Sequence, residues 1–216
     1  MNQRGIALLT GLVLLAAISL LALSASSGML LQRSMAANFQ ENAVALQNAG
    51  VASAYATTWL FSRPDNERES NCDGICLLPI AVNDAGSLPA NPEFESMEWW
   101  RDNAVSAGYN PGTSQTDPAP VAGGTSAFWL IEEIHSATTG DTRAKGFAES
   151  LAWYRILSRG TGRNARSVAV TETIVARPWN GDFRPSAYPP REPAGVFCAQ
   201  FDKRYACGPL AWRQRR

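Results

Sequence analysis

The sequence predicts an α+β fold: one long N-terminal helix, membrane-embedded in its first half and amphipathic in its second, packed on an antiparallel β-sheet, with a short second helix and disulfide-closed loops. Three observations predict it. Ile6 to Leu23 is a run without one charge, flanked by Arg4 and then by no charge until Arg33. From Leu31, apolar and small residues recur at Met35, Phe39, Ala43, Leu46, Ala49, Ala52, Ala56 and Leu60, steps of three or four that hold one face of a helix. Beyond residue 126 the period changes to short runs rich in aromatic and β-branched residues, the composition of strands.

The first two observations join into one element. At about 1.5 Å per residue the uncharged run reaches roughly 27 Å, close to the hydrocarbon thickness of a bilayer. No proline interrupts the pattern before Pro64, so one helix of roughly 55 to 58 residues, about 85 Å long, is expected. A transient secretory signal would instead end in a small-residue cleavage site and a broken helical pattern. Cleavage of that kind near Ser24 to Ser26, giving a freely secreted protein, is the alternative. Arg4, the only charge before the run, places the rest of the chain outside the cytoplasm.

That placement governs the cysteines. Cys72, Cys76, Cys198 and Cys207 all lie on the exported side, and an even number in an oxidising compartment reads as two disulfides. Pairing Cys72 with Cys76 and Cys198 with Cys207 is favoured, since each pair flanks a short stretch that can fold back on itself, with Gly74 inside the first and Gly208 just after the second. The crossed pairings stay open. A four-cysteine zinc site is the competing reading, but neither spacing is Cys-x-x-Cys.

After the long helix, residues 63–91 read as loop, with Pro64, Pro79 and Pro89. A second helix is expected from Asn91 as N-cap and Pro92 at the first position to Gly108 as stop, with Phe94, Met97, Trp100, Ala104 and Ala107 on its apolar face. Residues 108–124 form an exposed connection rich in Pro, Gly, Ser and Thr. Three strands follow at 127–135, 151–159 and 167–176. In the third, Val168, Val170 and Ile174 alternate with Ser167, Thr171 and Thr173. The stretch from Gly160 to Ala165 is short enough to make the last two strands a hairpin. The amphipathic half of the long helix is the expected cover for the hydrophobic sheet face. Past Arg177 the chain is expected to end in a proline-rich loop closed by Cys198 and Cys207.

Chemistry-bearing patterns are sparse. Basic and acidic residues balance at 19 each across 216 residues, which argues against a general nucleic-acid binder and suits one compact domain beyond the membrane half-helix. Arg213, Arg215 and Arg216 read as a solvated tail. His135 is the only histidine, and no nucleophile elbow, P-loop or zincin pattern occurs. Glu132 and Glu133 fall on opposite faces of a regular strand, which defeats paired acid and base work. Asp73, Asp84, Asp141, Asp182 and Asp202 are loop carboxylates that can serve calcium, but none has EF-hand spacing; no cofactor is expected. Trp99 and Trp100 read as packing, with a carbohydrate or partner platform as the alternative.

Gln3-Arg4-Gly5 followed by Ile6-Ala7-Leu8-Leu9 and a long apolar helix resembles the class III signal of the type IV pilin superfamily. Leu31-Gln32-Arg33-Ser34-Met35-Ala36-Ala37-Asn38 and Ala45-Leu46-Gln47-Asn48-Ala49 resemble the N-terminal region of PilX-type minor pilins, and Tyr154-Arg155-Ile156, Gly160-Thr161-Gly162 and the Val168 strand look like their C-terminal hairpin. The resemblance is strongest over residues 3–60. It implies a pilin-like fold, a leader at 1–5, a transmembrane and assembly half-helix at 6–31, and a periplasmic domain at 32–216. It also implies cleavage after Gly5 by a prepilin peptidase, with Ile6 as a new and N-methylated terminus. The helix residues Ile6, Leu8, Leu9, Thr10, Leu12, Val13, Leu14 and Leu15 would then hold the protein in the inner membrane, C-terminus in the periplasm, and later dock in the fibre. The implied partners are other minor pilins, the major pilin and the inner-membrane assembly platform. Thr10 stands where major subunits usually carry a glutamate, a departure that resembles tip-located minor subunits. A K-like minor pseudopilin of type II secretion is the alternative within the superfamily; a membrane-anchored periplasmic enzyme or carbohydrate-binding module is the alternative outside it.

Overall fold

The computed structural model describes residues 4–63, 76–78, 89, 91–107, 127–139, 147–179 and 193–215. Two compact units result, Met1–Glu41 and Asn42–Arg216. Cys72, and with it the Cys72 to Cys76 pairing, lies outside the described residues, as do Asp73, Asp84, Asp141, Asp182 and Arg216.

Helix α1 runs unbroken over Arg4–Ser62. It stops where Pro64 approaches, since the residue before a proline disfavours helical dihedrals, and the Ser62 hydroxyl donates to the Trp59 carbonyl at 2.8 Å. In the first unit the described side chains of the helix are exposed as far as Gln40, and Glu41 is half-buried. The second unit is built on a six-stranded antiparallel sheet. Its strands are β1 (Cys76–Leu78), β2 (Val105–Ser106), β3 (Ala127–Thr138), β4 (Ser150–Thr161), β5 (Val168–Trp179) and β6 (Gly208–Arg215). The main order is β1-β3-β4-β5-β6, with β2 also pairing β3. Among the described residues the unit also has two short helices, α2 (Met97–Asn103) and α3 (Pro193–Cys198).

The β4–β5 hairpin closes as its spacing predicts. Asn164 Oδ1 accepts from the amides of Arg166 and Ser167 at 2.9 and 3.0 Å, and the Gly162 amide donates to the Ser167 carbonyl at 2.8 Å. This Asx-type turn lets Ala165 sit at φ 57°.

Each sheet face has its own cover. The C-terminal part of α1 lies on one face through small residues: Ala45, Ala49, Ala52 and Ala56 are fully buried, packed with Ala169, Ala152, Ile156 and Val175. Small side chains bring the helix backbone close. Gly160 marks the tightest point, where an added Cβ would lie under 3.0 Å from Ala45 O and Ala49 N and 2.8 Å from the Asn48 carbonyl carbon. Asn48 Nδ2 donates to the Thr161 carbonyl at 2.7 Å, and Ser53 and Thr173 share a hydroxyl bond at 3.1 Å. Farther along, Trp59, Leu60 and Phe61 meet Trp129, Trp179 and Phe197.

The opposite face is covered by the segment around α2. Trp100 is fully buried among Phe128, Leu130, Leu157 and Val170, and its indole donates to the Pro92 carbonyl at 3.0 Å.

Five expectations are corrected. Residues 63–91 are not all loop, since Cys76–Leu78 forms β1 and pairs with β3. The second helix does not run from Asn91 to Gly108. Pro92–Phe94 forms a single 3-10 turn and α2 starts afresh at Met97, because Ser96 takes the cap by accepting from the Trp99 amide while Asn91 makes no side-chain cap. The segment then turns extended as β2 at Val105. In β5 the long helix covers Thr171, Thr173 and Val175 rather than Val168, Val170 and Ile174; a close-packed helix of alanines selects the shorter side chains. The chain does not end in a loop, since α3 and β6 follow Arg177. Arg213 and Arg215 belong to β6 and are not a solvated tail.

Candidate assembly surface

Among the described residues, fourteen large apolar side chains of α1 are more than half exposed between Leu8 and Phe39. Leu8, Leu9, Leu12, Val13, Leu14 and Leu15 follow one another closely enough to encircle the helix, since successive residues are turned by about 100°. A helix apolar all round is one that is buried in a core or in lipid. At about 1.5–3 kcal/mol for each large apolar side chain taken out of water, this stretch stores on the order of tens of kcal/mol for whatever encloses it. Ser19 Oγ donates to the Leu15 carbonyl at 2.8 Å, the usual way a hydroxyl is satisfied in apolar surroundings. Gly11 and Gly28 have nothing within 4 Å of a built Cβ.

Gly5, Ile6 and Thr10 lie within the helical backbone of α1, and the side chains described in this stretch run from Leu8 to Ala22. Among the described residues, no helix is long and apolar enough to cross a membrane. The uncharged run of Ile6 to Leu23 extends past those described side chains at both ends.

No protein-family model, curated protein or solved structure matches this chain. The residues themselves therefore carry the functional reading.

In the second unit the sequence-predicted residues are dispersed. His135 is exposed on β3 and stacks on Trp153 with ring centroids 5.2 Å apart. Glu132 is buried against Arg155 on the α2 side of the sheet, whereas Glu133 accepts from Tyr154 Oη at 2.9 Å on the α1 side. The two carboxylates are thus separated by the sheet. Trp100 is buried, and Trp99 packs edge-on against it at 5.5 Å, so the tandem tryptophans do not present a flat platform. Asp202 turns on its own loop, accepting from the Arg204 amide at 3.0 Å. Among the described residues no cluster of His, Cys, Asp or Glu is placed to hold a metal.

Cys198 and Cys207 are bonded, with Cα atoms 5.7 Å apart. The bridge joins the end of α3 to the start of β6 and so returns the chain to the sheet. There Arg213 Nη2 meets Glu172 Oε1 at 2.9 Å, Arg215 Nη1 meets Glu172 Oε2 at 3.0 Å, and Arg215 Nε meets Glu93 Oε1 at 3.1 Å. The hydrogen bond and charge of Glu172 raise Arg213 above the ordinary arginine range. Arg159, one strand farther in, is pushed down by burial and directs Nη1 at Met97 Sδ, 3.1 Å away. Sequence inspection missed this charged cluster because its members are far apart in the chain and only the register of β4, β5 and β6 brings them together.

Proposed function

We propose that this protein is a minor pilin of the PilX type, held in the inner membrane by α1 and later incorporated at or near the tip of a type IV pilus, where it helps to initiate assembly. One observation carries the reading. A single 59-residue helix is apolar around its circumference near its start and, from Asn42 onward, presents a small-residue face to an antiparallel sheet. A chain that leaves lipid must recover the burial that it loses, and packing against the equivalent helices of neighbouring subunits can supply it. Cleavage before the apolar run, after Gly5, keeps that helix on the mature chain. Thr10 supports the tip role, because a hydroxyl can be accommodated in apolar surroundings without the partner amine that a buried glutamate requires. In this reading other minor pilins, the major pilin and the assembly platform are the partners.

N-terminal mass spectrometry of the protein from cells with and without prepilin peptidase tests it. The expected mature chain begins at Ile6, methylated, only when the peptidase is present. A chain that keeps Met1 to Gly5 in peptidase-positive cells, or that begins near Ser24 to Ser26, overturns the reading.

A further inference from the structure

We propose that the outer edge of β6 is a strand-docking site for an extended segment of another protein that places a carboxylate opposite Arg213 and an apolar residue opposite Trp212. The inference rests on the second unit alone and does not depend on how α1 is used.

Three observations converge on this edge. β6 ends the strand order and, among the described strands, pairs only with β5. Pro209 has no amide hydrogen and the register with β5 is interrupted at Leu210, but Ala211 to Gln214 are exposed and in unbroken register, so this part of the edge offers backbone donors and acceptors to a further strand. Its side chains are also differentiated by face. Trp212 and Gln214 register with Thr173 and Thr171 on the α1 side, while Arg213 and Arg215 register with Glu172 and Val170 on the other. Trp212 and Leu210 leave 58% and 50% of their surface exposed, which is apolar area for a docked strand to cover.

Charge selects the occupant. Arg155, Arg159, Arg213 and Arg215 share the face with Glu93, Glu132 and Glu172 among the described residues, four guanidinium groups against three carboxylates. Arg213, with 65% of its side chain exposed, is the member within reach of a new neighbour. A carboxylate opposite it would form a cross-strand pair of the stabilising kind. A second copy of β6 would bring more guanidinium groups and no carboxylate, since Gly208–Arg215 contains no acidic residue. The complementary strand is therefore acidic on the Arg213 side and apolar on the Trp212 side.

The competing role for these arginines is protection of an edge against pairing of any kind. Photo-cross-linking in producing cells separates the two. p-Benzoylphenylalanine is placed in the full chain at Leu210, Trp212 or Gln214, with Val196 in α3, 55% exposed, as the control position. Strand docking predicts adducts to one partner segment, with the cross-linked residue moving by two between the Trp212 and Gln214 probes, which lie in unbroken register, and with an Asp or Glu in that segment opposite Arg213. Arg213→Glu should lower the Trp212 adduct about fivefold, the equilibrium effect of turning one cross-strand attraction into repulsion, while Arg213→Lys retains it. Adducts to a second copy, adducts without the two-residue progression, or yields no higher than at Val196 overturn the proposal.

Discussion

Gly160→Ala should loosen the contact between α1 and the sheet, whereas a methyl group added at Gly11, Gly28, Gly50 or Gly195 meets nothing within 4 Å. The new Cβ would fall under 3.0 Å from Ala45 O and Ala49 N and 2.8 Å from the Asn48 carbonyl carbon, all backbone atoms that cannot swing aside. Relief requires the helix to move away, and overpacking of this kind costs about 1–3 kcal/mol. The same movement stretches the 2.7 Å bond from Asn48 to the Thr161 carbonyl. Leaving a buried amide short of its acceptor adds about 1–3 kcal/mol, while replacing glycine in a strand returns roughly 0.5–1 kcal/mol. The net loss is about 3 kcal/mol, equivalent to a fall in melting temperature of about 6–12 °C for a unit of this size. Thermal melts of the full chain in detergent, followed by tryptophan fluorescence, measure it. Gly50→Ala is the matched control: Gly50 is a helical position with nothing within 4 Å, so alanine there should stabilise by about 0.5–1 kcal/mol. A Gly160→Ala melting temperature within about 2 °C of the parent would refute the close-packing argument.

Replacing both Cys198 and Cys207 by alanine opens a loop spanning a sequence separation of 9 and should cost about 2–3 kcal/mol in urea unfolding, as loop-closure entropy implies. Glu172→Gln leaves Arg213 and Arg215 without their shared carboxylate. A loss of about 2–3 kcal/mol is expected, and chemical denaturation with an unchanged m-value checks it. Ser96→Ala removes the hydroxyl that accepts from the Trp99 amide at 3.0 Å; the expected cost is about 1 kcal/mol, read from the same melts.

The long helix was legible because a periodic pattern without proline has few other solutions, and α1 extends over Arg4–Ser62. Strands β3, β4 and β5 were legible in composition, although each proved to be a 12-residue strand and longer than its apolar run suggests. Their extra residues are held by neighbours on the sheet. β6 was not legible. Gly-Pro-Leu-Ala-Trp-Arg-Gln-Arg lacks β-branched residues, and it becomes a strand because the disulfide returns it to β5 and Glu172 receives its arginines. The sidedness of β5 misled for a related reason. Threonines look solvent-facing in isolation, but Thr171 and Thr173 are short enough to lie under a helix whose own face is alanine and serine. The exposed apolar start of α1 was visible directly, since an uncharged run needs no tertiary context to be recognised. Nothing local could show that Glu93, Glu172 and Arg215 would meet.

The reach of Arg215 back to Glu93, across 122 positions of sequence, makes the last strand a latch for the middle of the chain. Opening the latch unpairs Glu93 at the entrance to α2, so fraying of β6 and release of the indole-lined cap around Trp100 become one event. Amides from Trp212 to Gln214 and from Trp100 to Ala104 should then share a common opening free energy in hydrogen exchange, and a protease that trims the C-terminus should expose the α2 segment to cleavage as well.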